Sequence, residues 1–123
     1  MDVPATALEQ SASQSASQSV SDVEDRMLRL VGLGVRSRTV VVGVEMVRQA
    51  AKKGTLVLAI VAPDASRHSR EKVLPLLAAK RVQVIEGPTA AALGAAVGRD
   101  VAAAVGVIDR ELAKGISGIA ERR

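Results

Sequence analysis

The stretch VVVGVEMVRQAAKKGTLVLAIVAPD, Val40 to Asp64, decides the fold. It opens on three β-branched residues, Val40 to Val42, which favour an extended chain. Gly43 then admits a change of direction. Val44, Val47, Ala50 and Ala51 recur at helical spacing, so a helix is expected from Gly43 to Lys53. Gly54 suits the left-handed residue that ends such a helix. Lys52 and Lys53 in the last turn complement its dipole. Leu56 to Ala62 is a continuous apolar run of seven, closed by Pro63 and Asp64. That is the pattern of a central strand buried on both faces.

The same alternation continues outward. Val23, Met27, Leu30, Val31 and Gly34 share a helical face, so a first helix is expected over Val23 to Val35, capped by Ser21 or Asp22. Arg36 to Thr39 reads as a polar turn. Ser66 starts a helix through Lys80, in which Pro75 should produce a kink by removing a hydrogen bond. Val82 to Ile85 is a further strand. Thr89 caps an alanine-rich helix that stops at Gly98. Val101 to Ile108 is the last strand, and Asp109 caps a final helix that Gly115 and Gly118 should leave ragged. Strands alternating with helices imply an α/β fold, a three-layer α/β/α sandwich.

Residues 1–22 differ from this domain. Ser11 to Ser21 alternates Ser with Ala, Gln and Val and offers almost nothing to bury, so a disordered tail is expected, with the folded domain spanning 23–123. The tail lacks the basic start and apolar stretch of a secretory signal. Charge divides along the same line. All 17 Lys and Arg lie from Arg26 onward, against 8 acids there, a net +9. Such a balance favours an anionic partner, nucleic acid before a membrane surface.

What is missing narrows the chemistry. The chain has no Cys, Phe, Trp or Tyr. Disulfides, thiolate metal sites and Cys nucleophiles are excluded, which suits a cytoplasmic protein. Single-stranded RNA modules that stack bases on aromatic rings are excluded too. No apolar run reaches membrane-span length. His68 is the lone histidine, without partners for a metal or a triad, and reads as an exposed helix side chain. Gly32-Leu-Gly34 lacks the remaining glycine of a dinucleotide fingerprint and sits in a helix. No metal, cofactor or catalytic set is expected, and the chain does not read as an enzyme.

The signal that remains is the helix opening at Gly43. Six basic residues lie between Arg29 and Lys53, against Glu45 alone. A helix start carries free amides and the positive end of the dipole. Gly43 permits close approach of a phosphate. Arg36 and Arg38 are expected to flank that end, with Arg48 and Lys52 one turn apart behind it.

At this point the chain resembles the ribosomal protein L-seven-Ae / L-thirty-e superfamily of kink-turn RNA binders, particularly its small bacterial members. The likeness spans Leu30 to Gly115 in ordered pieces. They are Leu30-Val-Gly-Leu-Gly34, Gly43 with Gly54, Leu56 to Ala65, Val73-Leu-Pro-Leu-Leu77, Val82-Gln-Val-Ile85, Leu93-Gly94, Val97-Gly98 and Val101 to Ile108. The resemblance implies a mixed sheet of about four strands. It also implies recognition of structured RNA, kink-turn or ribosomal, by the start of the second helix, with a strand-to-helix loop as the second wall. On this chain it assigns Gly43, Val44, Glu45 and Met46 to base edges or backbone. Arg36, Arg38, Arg48, Gln49 and Lys52 are assigned to phosphates or base edges, and Glu86, Gly87, Pro88 and Thr89 to the wall. Where the strongest kink-turn binders carry Gly-x-Asn-Glu-x-x-Lys, this chain has Glu45, Met46 and Gln49 in place of the Asn, Glu and Lys. The expected setting is a ribosome or other ribonucleoprotein, with the protein a monomer. The alternative is a protein-interaction module that has lost its RNA.

Overall fold

The computed structural model describes residues 22–121; the expected tail and the Ser21 cap fall outside them. A first helix, α1, covers 22–36. There follow β1 (Val40–Val42), α2 (Val44–Lys53), β2 (Leu58–Val61), α3 (Arg67–Ala79), β3 (Gln83–Glu86), α4 (Ala90–Val97), β4 (Ala104–Val107) and α5 (Arg110–Ala120). The expected alternation holds; β1 matches its run, β3 is shifted by one residue from Val82 to Ile85, and β2 and β4 are shorter than the apolar runs that mark them.

The four strands form one mixed sheet in the order β1-β4-β2-β3. β2 pairs parallel with β3, and β4 pairs antiparallel with both β1 and β2. Period-two alternation sends side chains to two separate cores. Leu58, Ile60, Val105 and Val107 join Met27, Val31, Leu93 and Ile116 beneath α1, α4 and α5. Ala59, Val61 and Ala104 join Val47, Ala51, Val73 and Leu77 beneath α2 and α3. Each fully buried Leu or Ile contributes roughly 2 kcal/mol. This is the three-layer α/β/α sandwich.

With no aromatic side chains to fill space, helices approach the sheet closely. A Cβ on Gly106 would meet Leu56 Cδ1 at 2.5 Å and Val47 Cγ2 at 3.4 Å. Glycine there lets α2 settle on β4.

One expectation about a helix end is corrected. α5 is continuous through Gly115 and Gly118; burial of Ala113 and Ile116 outweighs the weak propensity of glycine. α3 contains Pro75 within its span and is capped by Ser66, whose hydroxyl accepts from the Ser69 amide. Pro75 is exposed, as is Glu71 four residues earlier, so the hydrogen bond lost there lies on the solvent side of the helix.

The register sets what gathers at each edge of the sheet. Val42 stands opposite Val105, Val61 opposite Ala104, and Val61 beside Glu86. The C-terminal ends of β1, β2 and β3 therefore share one edge with the N-terminal end of β4.

Candidate nucleic-acid interface

Gly43 ends β1 at that edge. Its amide donates to the Ala104 carbonyl at 2.9 Å, anchoring it to β4. It caps α2 with φ 98° and ψ 156°, a backbone that side-chain-bearing residues rarely adopt. Glycine has no side chain to accept a hydrogen bond, and α2 has no side-chain cap. α3, α4 and α5 are capped by Ser66, Thr89 and Asp109. Among these four helices, α2 alone keeps the amides of its first turn, at Val44, Glu45 and Met46, without an acceptor in the described residues.

The open mouth forms one side of a shallow depression of about 420 Å³, bounded also by His68, Ser69, Lys72 and Arg99. The position a Gly43 Cβ would take lies 3.7 Å from Arg99 Nη1. Arg99 follows Gly98, which ends α4 in the left-handed region at φ 79°, and its amide donates to the Gly94 carbonyl at 2.8 Å. Gly94 makes that path possible. A Cβ there would strike Val101 Cα at 2.6 Å and the Arg99 carbonyl oxygen at 2.8 Å. The segment 98–103 thus leads into β4 immediately beside Gly43. Within it, Val101 is 63% exposed; Met46, on the first turn of α2, is 46% exposed.

The α2 side chains divide. Gln49 and Lys52 are exposed. Glu45 pairs with Lys72 Nζ of α3 at 3.5 Å. Arg48 donates to the Lys72 main-chain carbonyl. It thereby ties α2 to α3 instead of projecting from the helix start.

Arg36 and Arg38 do not flank Gly43. They sit before β1 at the opposite edge of the sheet, where the Ile108 amide donates to the Thr39 carbonyl at 2.9 Å. The strand holds that turn roughly 13 Å from Gly43 at the usual strand rise. Adjacency in sequence had suggested a ring of guanidinium groups, but an extended strand keeps its two ends apart.

The Glu86 to Thr89 loop shares the Gly43 edge but follows β3, on the far side of β4 and β2. At the usual strand separation that is roughly 14 Å away. Its groups are also engaged. Gly87 donates to the Val61 carbonyl, Thr89 caps α4, Glu86 pairs with Arg70, and Gly87 and Pro88 are buried. The neighbour of Gly43 is instead 98–103. Sequence reading passed over Arg99 and Lys72 and left His68 as a bland exposed residue. The available signal was Gly94 and Gly98 directly before a basic residue at a strand entry.

A model of the ribosomal protein L7Ae/L30e/S12e/Gadd45 family matches residues 25–116. The chain belongs to that family. No curated protein matches it in sequence. Among solved structures, a protein of unknown function from Bacillus halodurans is 27% identical with a TM-score of 0.72, covering 78% of this chain and 97% of its own. The Giardia lamblia 15.5kD RNA binding protein has the same fold at 20% identity, with a TM-score of 0.68, covering 82% of this chain and 87% of its own.

In this L7Ae-family domain the depression holds no ionisable cluster suited to metal. Among the described residues no group of three or more His, Asp or Glu side chains could hold an ion. No helix described is long and apolar enough to cross a membrane. The site therefore offers amide donors, three cationic or ionisable side chains from two other elements, the Glu45 carboxylate paired with Lys72, and the exposed Met46 side chain.

Proposed function

We propose that this protein binds structured RNA, of the kink-turn or ribosomal kind, at the sheet edge where α2 begins, and acts by binding rather than catalysis. The observation that carries this reading is the uncapped start of α2 beside Arg99. Free amides at a helix start favour an anion, and a guanidinium presents a planar fork to phosphate oxygens. Family membership supports it, as does the shared fold with the Giardia RNA-binding protein.

In this reading the amides of Val44, Glu45 and Met46 and the Arg99 guanidinium hold the RNA backbone. Lys72 and Lys52 extend the positive surface along α3 and α2. Met46 and Val101 supply apolar contact to bases opened at a bend, replacing the aromatic platforms this chain lacks. Glu45 accepts from guanine N1 and N2 once RNA competes for Lys72. The segment 98–103 takes the role of second wall that the resemblance had given to Glu86 to Thr89. The setting is a cytoplasmic ribonucleoprotein.

The test is fluorescence anisotropy of the full chain with a kink-turn RNA and with a straight duplex of equal length, across a salt series. Binding should favour the kinked RNA. It should weaken with salt by roughly 0.7 to 0.9 log units per log unit of salt for each phosphate held. Equal affinity for both RNAs, or affinity indifferent to salt, would remove the proposal.

A further inference from the structure

The opposite helical layer carries an apolar groove that the RNA reading does not use. α4 contains no polar side chain along Ala90–Val97, yet Ala91 and Ala95 are exposed. A helix apolar on every side normally has every side covered. Next to it, α1 leaves Leu33 53% exposed. Between the two helices lies a depression of about 690 Å³, bounded by Leu28, Gly32, Leu33, Ala92, Ala95 and Ala96. The helices meet closely at its floor: a Cβ on Gly32 would stand 3.2 Å from the Ala96 carbonyl oxygen.

The rim of this groove is charged in a particular order. Asp25, Arg29 and Arg36 border it. With Gly32 they fall at i, i+4, i+7 and i+11, a single stripe along α1. None of the three charges has an ion-pair partner among the described residues.

We infer that this face is an interface with a second copy of the chain, α1 packing antiparallel on the partner's α1 about a two-fold axis midway between Leu30 and Val31. An isologous contact must be self-complementary, and this stripe is. Residues whose numbers are symmetric about that midpoint come level with each other. Asp25 meets the partner's Arg36, and Arg36 meets the partner's Asp25. Arg29 comes level with the partner's Gly32, above the floor where α1 meets α4. The same packing covers Leu33 and the exposed alanines of α4. An antiparallel pair also sets each helix dipole against its partner's.

The contact is modest. α1 is roughly 21 Å long at 1.5 Å per residue. A stable dimer typically buries about 800 Å² per partner, which is about a tenth of the 7463 Å² this chain exposes. The dimer should accordingly form and dissociate with concentration, in contrast to the monomer expected from sequence. The inference is independent of the RNA site, which lies at the sheet edge beside the α2–α3 layer.

Sedimentation velocity on the full chain over a wide concentration range tests it. The expected result is a reversible dimer. Leu33→Asp should abolish it. Asp25→Arg alone and Arg36→Asp alone should each weaken it about tenfold, since the two-fold axis duplicates every exposed pair. The double exchange, Asp25→Arg with Arg36→Asp, should recover most of the loss. All three substituted positions are exposed, and circular dichroism checks that the fold is kept. A chain monomeric at its highest soluble concentration would overturn the inference, leaving the groove to the N-terminal segment or to another protein. So would a double exchange no better than the single ones.

Discussion

Helices α2 and α5 begin in parallel circumstances, each directly after a strand, on antiparallel neighbours β1 and β4. Their starts lie at opposite edges of the sheet and are finished differently. At α5, Asp109 accepts from the Leu112 amide at 2.8 Å. The adjoining turn closes on itself, with Ser37 and Thr39 hydroxyls in contact at 2.9 Å. At α2 the corresponding position is Gly43, which has no side chain to accept from the first-turn amides. A Ser, Thr or Asp N-cap is worth about 1 kcal/mol over alanine but only a few tenths over glycine. The chain uses a side-chain cap at α3, α4 and α5 and leaves the start of α2, beside Arg99, open at little cost in stability. The difference separates an edge closed by its own side chains from one left open, which the proposed function fills with RNA phosphate.

The strongest way to break that contrast is to disturb what shapes the open edge. Gly94→Ala gains roughly 1 kcal/mol of helix propensity but drives a Cβ into the Val101 backbone at 2.6 Å. Overpacking against main chain, roughly 3 kcal/mol, should win, with a net loss of about 2 kcal/mol in urea unfolding and weakened RNA binding as 98–103 shifts. Next comes Arg99→Glu, which places a carboxylate at the mouth of α2. RNA affinity should fall at least tenfold, about 1.4 kcal/mol, and the salt slope should shrink by about one phosphate contact, while thermal stability stays within error. A fall in stability without a change in RNA affinity would assign Arg99 to the scaffold.

Asp109→Ala probes the closed edge. It should cost about 1 kcal/mol in chemical denaturation and leave RNA affinity unaltered; a comparable loss of RNA binding would erase the distinction between the edges. The smallest effect is expected for Arg38→Ala. Arg38 is exposed on the far turn, so affinity for RNA should change less than about twofold, the scale of a screened charge beyond a Debye length. A tenfold loss in the anisotropy assay would show RNA wrapping around both edges.

Much of the fold was legible because its signals are local. The run at Leu56 to Ala62 and the faces of α1 and α2 follow from spacing alone, and Ser66, Thr89 and Asp109 cap where a short polar side chain precedes helical periodicity. The ends of strands were less legible. Val101 to Ile108 reads as one strand, yet its first three residues form a loop, because α4 presses against them at Gly94. Leu56 belongs to the apolar run but leaves the ladder to pack beneath α2. Of the candidate site, Gly43 to Met46 was legible as a helix start following a strand. Arg99, Lys72 and His68 were not, since they reach Gly43 only through contacts between distant parts of the chain.

By itself the sequence determined the alternation of strand and helix, the two-sided burial of the sheet, the positive domain and the glycine that opens α2. Each depends on residues within a turn or two of one another. Tertiary structure alone decided that β4 inserts between β1 and β2. That insertion brings 98–103 to Gly43, sets Glu86 to Thr89 three strands away along the same edge, and leaves Arg36 and Arg38 at the other end of β1. Periodicity tells a strand which faces to bury, but its neighbours come from hydrogen bonds between remote segments, and no local pattern encodes their order.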